Sequence, residues 1–167
     1  MNILFIGDIF GKPGRRAVQQ LLPGLRRELE VDFCVGNAEN AASGAGITPE
    51  TAEDLFGAGV DVLTGGNHTW DRREGHALLD RDLRLLRPGN YPQEVPGRGV
   101  GVYDCGQEKI AVVNMLGRVF MPPVESPFHA MDEILENLAG VTSLVLLDFH
   151  AEATSEKIAM GWYLDGR

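Results

Sequence analysis

The sequence predicts an α/β fold in which a parallel sheet is covered by helices. Two observations carry this reading. Short apolar runs alternate with longer amphipathic ones through the first third of the chain, and later runs add a hairpin and another strand–helix pair. The first apolar run is Asn2 to Ile6, followed by an amphipathic stretch from Arg15 to Glu30. Val31 to Val35, Pro49 to Ala58 and Val60 to Leu63 then complete a β-α-β-α-β order. Pro88, Pro92, Pro96 and several glycines mark residues 88 to 101 as a loop. Val100 to Asp104 and Lys109 to Asn114 flank a turn-rich gap at Cys105-Gly-Gln-Glu108, which predicts two antiparallel strands and so a mixed sheet. Ser126 to Leu138 reads as a helix with Ser126 as cap and Pro127 as its first residue. Ser143 to Phe149 is a further buried strand, and a last helix runs from Glu152 to about Tyr163.

The chain has 167 residues, 44% of them hydrophobic and 23% charged, enough for one domain with its own core, and it carries no internal repeat or linker. Its formal charge of -9 repels phosphate backbones, which disfavours stable nucleic-acid binding. A phosphate ligand would need local help from Arg or a metal. No apolar run reaches the roughly 20 residues of a membrane span, and Met1 to Phe5 lacks the basic start of a signal peptide. The expectation is a cytoplasmic protein. Cys34 and Cys105 lie in separate apolar segments without CxxC spacing and read as buried free thiols.

In open α/β sheets, ligands bind outside the carboxyl ends of the strands, so the residue after each apolar run is the place to look. Those residues are Asp8, then Asn37-Ala-Glu39-Asn40, then Gly65-Gly-Asn67-His68, and finally His150-Ala-Glu152. Singly, Asp8 reads equally as a helix cap, Glu39 and Asn40 as loop polarity, and His150 as a hydrogen-bonded histidine at the core's edge. Together they deliver hard oxygen donors and an imidazole from four strand ends, the donor types that a hard or borderline divalent cation takes. The stretch from Gly7 to Gly14 has the wrong glycine spacing for a phosphate loop, and Pro13 follows Lys12. His76, His129 and the arginines Arg72, Arg73, Arg81, Arg84 and Arg87 read as solvated surface.

Gly7-Asp8, Asn37-Ala-Glu39-Asn40, Gly66-Asn67-His68 and Asp148-Phe-His150-Ala-Glu152 resemble, in this order, the calcineurin-like metallophosphoesterases, specifically their YmdB-like branch. Gly11-Lys-Pro-Gly14, Ser43-Gly-Ala-Gly46 and Thr154-Ser-Glu-Lys157 extend the likeness over essentially the whole chain. The resemblance implies a four-layer α/β/β/α sandwich with mixed sheets and two divalent metal ions, iron or manganese. It also implies hydrolysis of phosphodiesters such as 2′,3′-cyclic nucleotides by a metal-bridging hydroxide. On the same basis Asp8, Glu39 and Asn40 hold the first metal, Glu39 bridges to a second completed by Asn67 and His150, and His68 is the proton donor.

Members of the family continue into a strand ending in Gly-Thr-His-Thr-His, which supplies one more histidine to each metal. This chain stops at Arg167, so the 1–167 domain is expected to be C-terminally incomplete, to hold metal weakly, and to expose a sheet edge that favours self-association. Two other readings stay open: a haloacid-dehalogenase-like phosphatase using Asp8, which wants an Asp where Phe10 stands, and a catalytically silent binding module.

Overall fold

The first three strands lie side by side in sequence order, and this decides where everything else goes. In the computed structural model, which describes residues 1–167, β1 (Ile3–Ile6), β2 (Phe33–Asn37) and β3 (Val62–Thr64) form a wholly parallel sheet. The connecting helices are α1 (Gly11–Glu28) and α2 (Pro49–Ala58), and α3 (Arg73–Arg81) follows β3. Right-handed crossovers in a sheet that grows in one direction put every helix on the same face. Val18 and Leu22 of α1, Ala52 and Leu55 of α2 and Leu79 of α3 accordingly form one cluster with Cys34 and Leu63.

The opposite face of that sheet needs its own cover, and a second sheet provides it. β4 (Val100–Cys105) pairs antiparallel with β5 (Glu108–Leu116), which pairs parallel with β6 (Leu144–His150). Phe33, Val35 and Val62 meet Cys105, Ile110 and Val112 between the sheets. Val113 and Met115 of β5 pack against Met131 of α4 (Pro127–Leu138) and Met160 of α5 (Thr154–Leu164). β5 is apolar at successive positions because both of its faces are buried. The result is the four-layer α/β/β/α sandwich that the resemblance implies.

Local chemistry sets the helix ends. Thr48 and Thr51 form a reciprocal capping box ahead of α2, Pro49 opens the helix, and Gly59 closes it in the left-handed conformation at φ +106°. Ser126 caps α4 as predicted, its hydroxyl accepting from the His129 amide at 3.5 Å.

Three expectations change. The single mixed sheet is two sheets, and only the second is mixed. The proline-rich segment is irregular, as its sequence predicts, but the arginine beside it is not at the surface: the buried Arg87 donates to the carbonyls of Pro88, Pro92 and Gly97. Arg87 is therefore not solvated, and Arg72 is half-buried, donating to the carbonyls of Ala42 and Ala45 at 3.1 Å each. His76 is half-buried, with Nε2 2.9 Å from the Trp70 carbonyl, while His129 is exposed as expected. Both cysteines are buried and free. No helix is long and apolar enough to cross a membrane.

Candidate active site

β1, β2, β3 and β6 all end at one edge of the sandwich, where the two sheets face each other. Behind the site, Asn37, the last residue of β2, ties the sheets together. Its amide nitrogen donates to the Asp148 carboxylate of β6 at 2.8 Å and to the Gly65 carbonyl at 3.0 Å. Its amide oxygen accepts from the Glu39 N–H at 3.2 Å. Asp148 also accepts from the Thr64 hydroxyl, and Asn114 of β5 accepts from the Gly65 N–H at 3.0 Å. Burial raises the pKa of Asp148 even though Thr64 and Asn37 hydrogen-bond its charged form. This buried layer fixes the two loops that carry Glu39 and His68.

Glu39 is the centre of the arrangement and only 3% exposed. One carboxylate oxygen, Oε1, lies 3.1 Å from His150 Nε2 and accepts from the Asn40 amide at 3.1 Å. The other, Oε2, accepts from the His68 backbone N–H at 3.1 Å. Asn40 donates from the same nitrogen to Asp8 at 2.9 Å. Burial works to raise the pKa of Glu39, but the His150 hydrogen bond and charge and the His68 amide outweigh it and hold the carboxyl below its ordinary range. Burial acts in the other direction on His150, and Glu39 overrides it, so the imidazole pKa is raised.

Close backbone approach explains the Gly-Gly before Asn67. A Cβ on Gly66 would stand 2.0 Å from Glu39 Oε2, and one on Gly65 would stand 2.2 Å from Thr69 Oγ1. The Thr69 hydroxyl donates to the Gly66 carbonyl at 2.7 Å and accepts from the Gly66 N–H at 2.9 Å, which fixes the turn. Ala38, Ala41 and Ala42 are buried around the Glu39 loop, the crowding expected of them. The amides of Ile9 and Gly11 are engaged by the carbonyls of Asn37 and Asn40, at 2.9 and 2.8 Å, so they do not form a phosphate loop.

Asp8, Glu39, Asn40 and His150 are thus joined in one hydrogen-bonded chain. Asn67 and His68 are half-buried beside it, and the Asn67 amide is not engaged by it. Sequence reasoning points to the His68 ring but misses its partner: Asp71 Oδ2 lies 2.7 Å from His68 Nδ1. The i,i+3 spacing across the Thr69-Trp70 turn is the signal that could have found it.

The donors fit a hard or borderline cation by type. Glu39 offers a carboxylate in a pocket that only glycine leaves open, and the Asp8 carboxylate is exposed. In number they are sparse: no three His, Cys, Asp or Glu side chains converge on one point. A cleft of about 740 Å³ opens alongside, lined by Asp8, Asn37, Asp148, His150 and Lys157, within the size range of small-molecule sites.

Comparison with known proteins identifies the family of the chain. The chain is 44% identical, over 100% of its length, to a 2′,3′-cyclic-nucleotide 2′-phosphodiesterase of Bacillus subtilis (strain 168), and it spans 63% of that protein. A crystal structure of a hypothetical protein from Thermus thermophilus superposes with a TM-score of 0.91 at 43% identity, covering 100% of this chain and 64% of that one. A phosphatase of Mycoplasma pneumoniae gives a TM-score of 0.90 at 35% identity, covering 98% and 60% respectively. Residues 4–167 match the family described as YmdB-like protein, and the chain belongs to that family.

Proposed function

We propose that this chain carries the hydrolytic site of a metal-dependent phosphodiesterase acting on 2′,3′-cyclic nucleotides. The observation that carries the reading is the Glu39 carboxylate, buried and shared between the Asp8–Asn40 side and the His150 side of the cleft. In this reading Asp8, Glu39 and Asn40 hold one divalent ion, and Glu39, Asn67 and His150 a second, iron or manganese. Such a pair supplies Lewis acidity, lowering the pKa of a water and offsetting phosphoryl charge. Asn67 contributes a neutral oxygen that does not repel an anionic substrate.

His68 does the proton work. Its Nδ1 is held by Asp71, which leaves Nε2 to protonate the departing ribose oxygen. The phosphodiesterase named among the relatives supports the substrate class.

The test is hydrolysis of adenosine 2′,3′-cyclic phosphate with Mn²⁺ in excess, using His68→Ala and Glu39→Gln. His68→Ala keeps Mn²⁺ binding and loses about 10²- to 10⁴-fold in kcat, with a smaller loss on a nitrophenyl ester whose leaving group needs no proton. Glu39→Gln loses metal and activity together. Equal losses on good and poor leaving groups would overturn the role of His68.

A further inference from the structure

The loop after β5 is built as a display for one aromatic ring. It leaves the sheet at the site: Leu116 is the register partner of His150, and the Gly117 N–H donates to the His150 carbonyl at 2.9 Å. A Cβ on Gly117 would stand 2.5 Å from the Ala151 side chain and 2.6 Å from Glu156 Oε2, so the loop is pressed against the β6–α5 junction. Glu156 is a buried carboxylate, 8% exposed, whose oxygens accept from the backbone N–H groups of Arg118, at 2.9 and 3.1 Å, and of Val119, at 3.2 Å. Burying a carboxylate is costly unless it is well hydrogen-bonded, and here it is used to fix loop backbone.

At the tip the Met121 N–H returns to the Arg118 carbonyl at 3.3 Å. The third residue of that turn is Phe120, at φ +62°, where Gly or Asn is the usual choice. Its ring is 89% exposed, the most exposed large apolar side chain of the chain. Arg118 is exposed as well, and none of the chain's ion pairs engages it. A loop anchored to the His150 carbonyl and to Glu156 therefore offers an exposed apolar face and an unengaged guanidinium within three residues, in a chain of net charge -9.

We infer that this loop recognises the nucleotide, with Phe120 stacking on the base and Arg118 pairing with the phosphate. Every base has a face that an aromatic ring can stack on, so the contact favours nucleotides over baseless phosphoesters without selecting one base. The guanidinium matches phosphate geometry. The inference rests on the proposed substrate class, and it makes Phe120 a specificity-determining residue.

The experiment measures binding of adenosine 2′,3′-cyclic phosphate and of ribose 2′,3′-cyclic phosphate, which lacks the base, to the 167-residue chain in EDTA, by NMR shift titration. The wild type binds the nucleotide about 10- to 100-fold more tightly, the worth of one stacked base. Phe120→Ala removes that preference and leaves affinity for the baseless ester unchanged, while Arg118→Ala weakens both ligands equally. Glu156→Gln keeps the ring but frees the loop, and it reduces the preference. Equal binding of the two ligands by the wild type overturns the inference, as does a preference that survives in Phe120→Ala. A change of molecular mass in Phe120→Ala with the preference intact makes the ring a protein contact instead. Hydrolysis plays no part in this readout. A chain that shows the base preference yet never hydrolyses the ester with Mn²⁺ keeps this inference and loses the proposed reaction.

Discussion

Gly66 shows how much of the site depends on one missing atom. Gly66→Ala puts a Cβ 2.0 Å from the present position of Glu39 Oε2, so the carboxylate must leave its place between His150 and the His68 amide. Mn²⁺ affinity, followed by titration, should fall by about 10- to 100-fold, as it does when the groups that orient a ligand are lost. A variant that binds as the wild type does would show that this carboxylate need not sit there. At Cys34 the prediction concerns pH. Burial, with help from the charge of Asp61, pushes its thiol from 9.0 up to about 11. The unfolded chain loses this proton first, so the thiol's contribution to stability is complete below pH 9.0 and is lost as the pH rises toward about 11. Denaturation midpoints should fall more steeply over that window for the wild type than for Cys34→Ala, and parallel pH profiles would refute this. The candidate ligands were legible because they follow apolar runs directly. Glu156 was not, since it acts on backbone that folding brings to it from 37 to 38 residues away, whereas Asp71 was within reach of a local i,i+3 signal that went unread.

Helices and strands were legible where a local rule governs them. Ser126-Pro127 announces α4, and the alternating runs announce β1 to β3. The division into two sheets was hidden, because an apolar run states that a strand is buried and not what buries it. The cross-sheet layer of Asn37, Thr64, Asn114 and Asp148 was hidden for the same reason. Asn37 lies 111 residues from Asp148 along the chain and Thr64 lies 84, distances over which no local pattern operates. Asp148→Ala would leave the buried Asn37 amide with only the Gly65 carbonyl and the buried Thr64 hydroxyl with only the Gly36 carbonyl at 3.5 Å. Chemical denaturation should register a loss of about 2–4 kcal/mol, and Asp148→Asn, which keeps an acceptor oxygen, should lose less. Equal losses in the two variants would mean that the layer is held by something other than these hydrogen bonds.

On the scale of the whole molecule, β1 and β6 each pair on one side only. Elsewhere on the surface α1 exposes Leu21 and Leu25, followed by Leu29 at its cap, and α5 exposes Ile158 and Trp162. Unpaired strand edges and exposed apolar side chains invite pairing with another chain. Light scattering should therefore find a mass that rises with protein concentration, and a constant monomer mass would contradict this. The meeting of the two sheets also belongs to this scale, because it is what brings the ligands of the proposed metal centre together around Glu39. An EPR titration of the chain with Mn²⁺, alongside Glu39→Gln, tests that centre most directly. Saturable binding by the wild type is expected, with Asp8, Glu39, Asn40, Asn67 and His150 as the proposed ligands, and both sites should be lost together in the variant. Binding that is unchanged in Glu39→Gln would contradict a centre organised by this carboxylate.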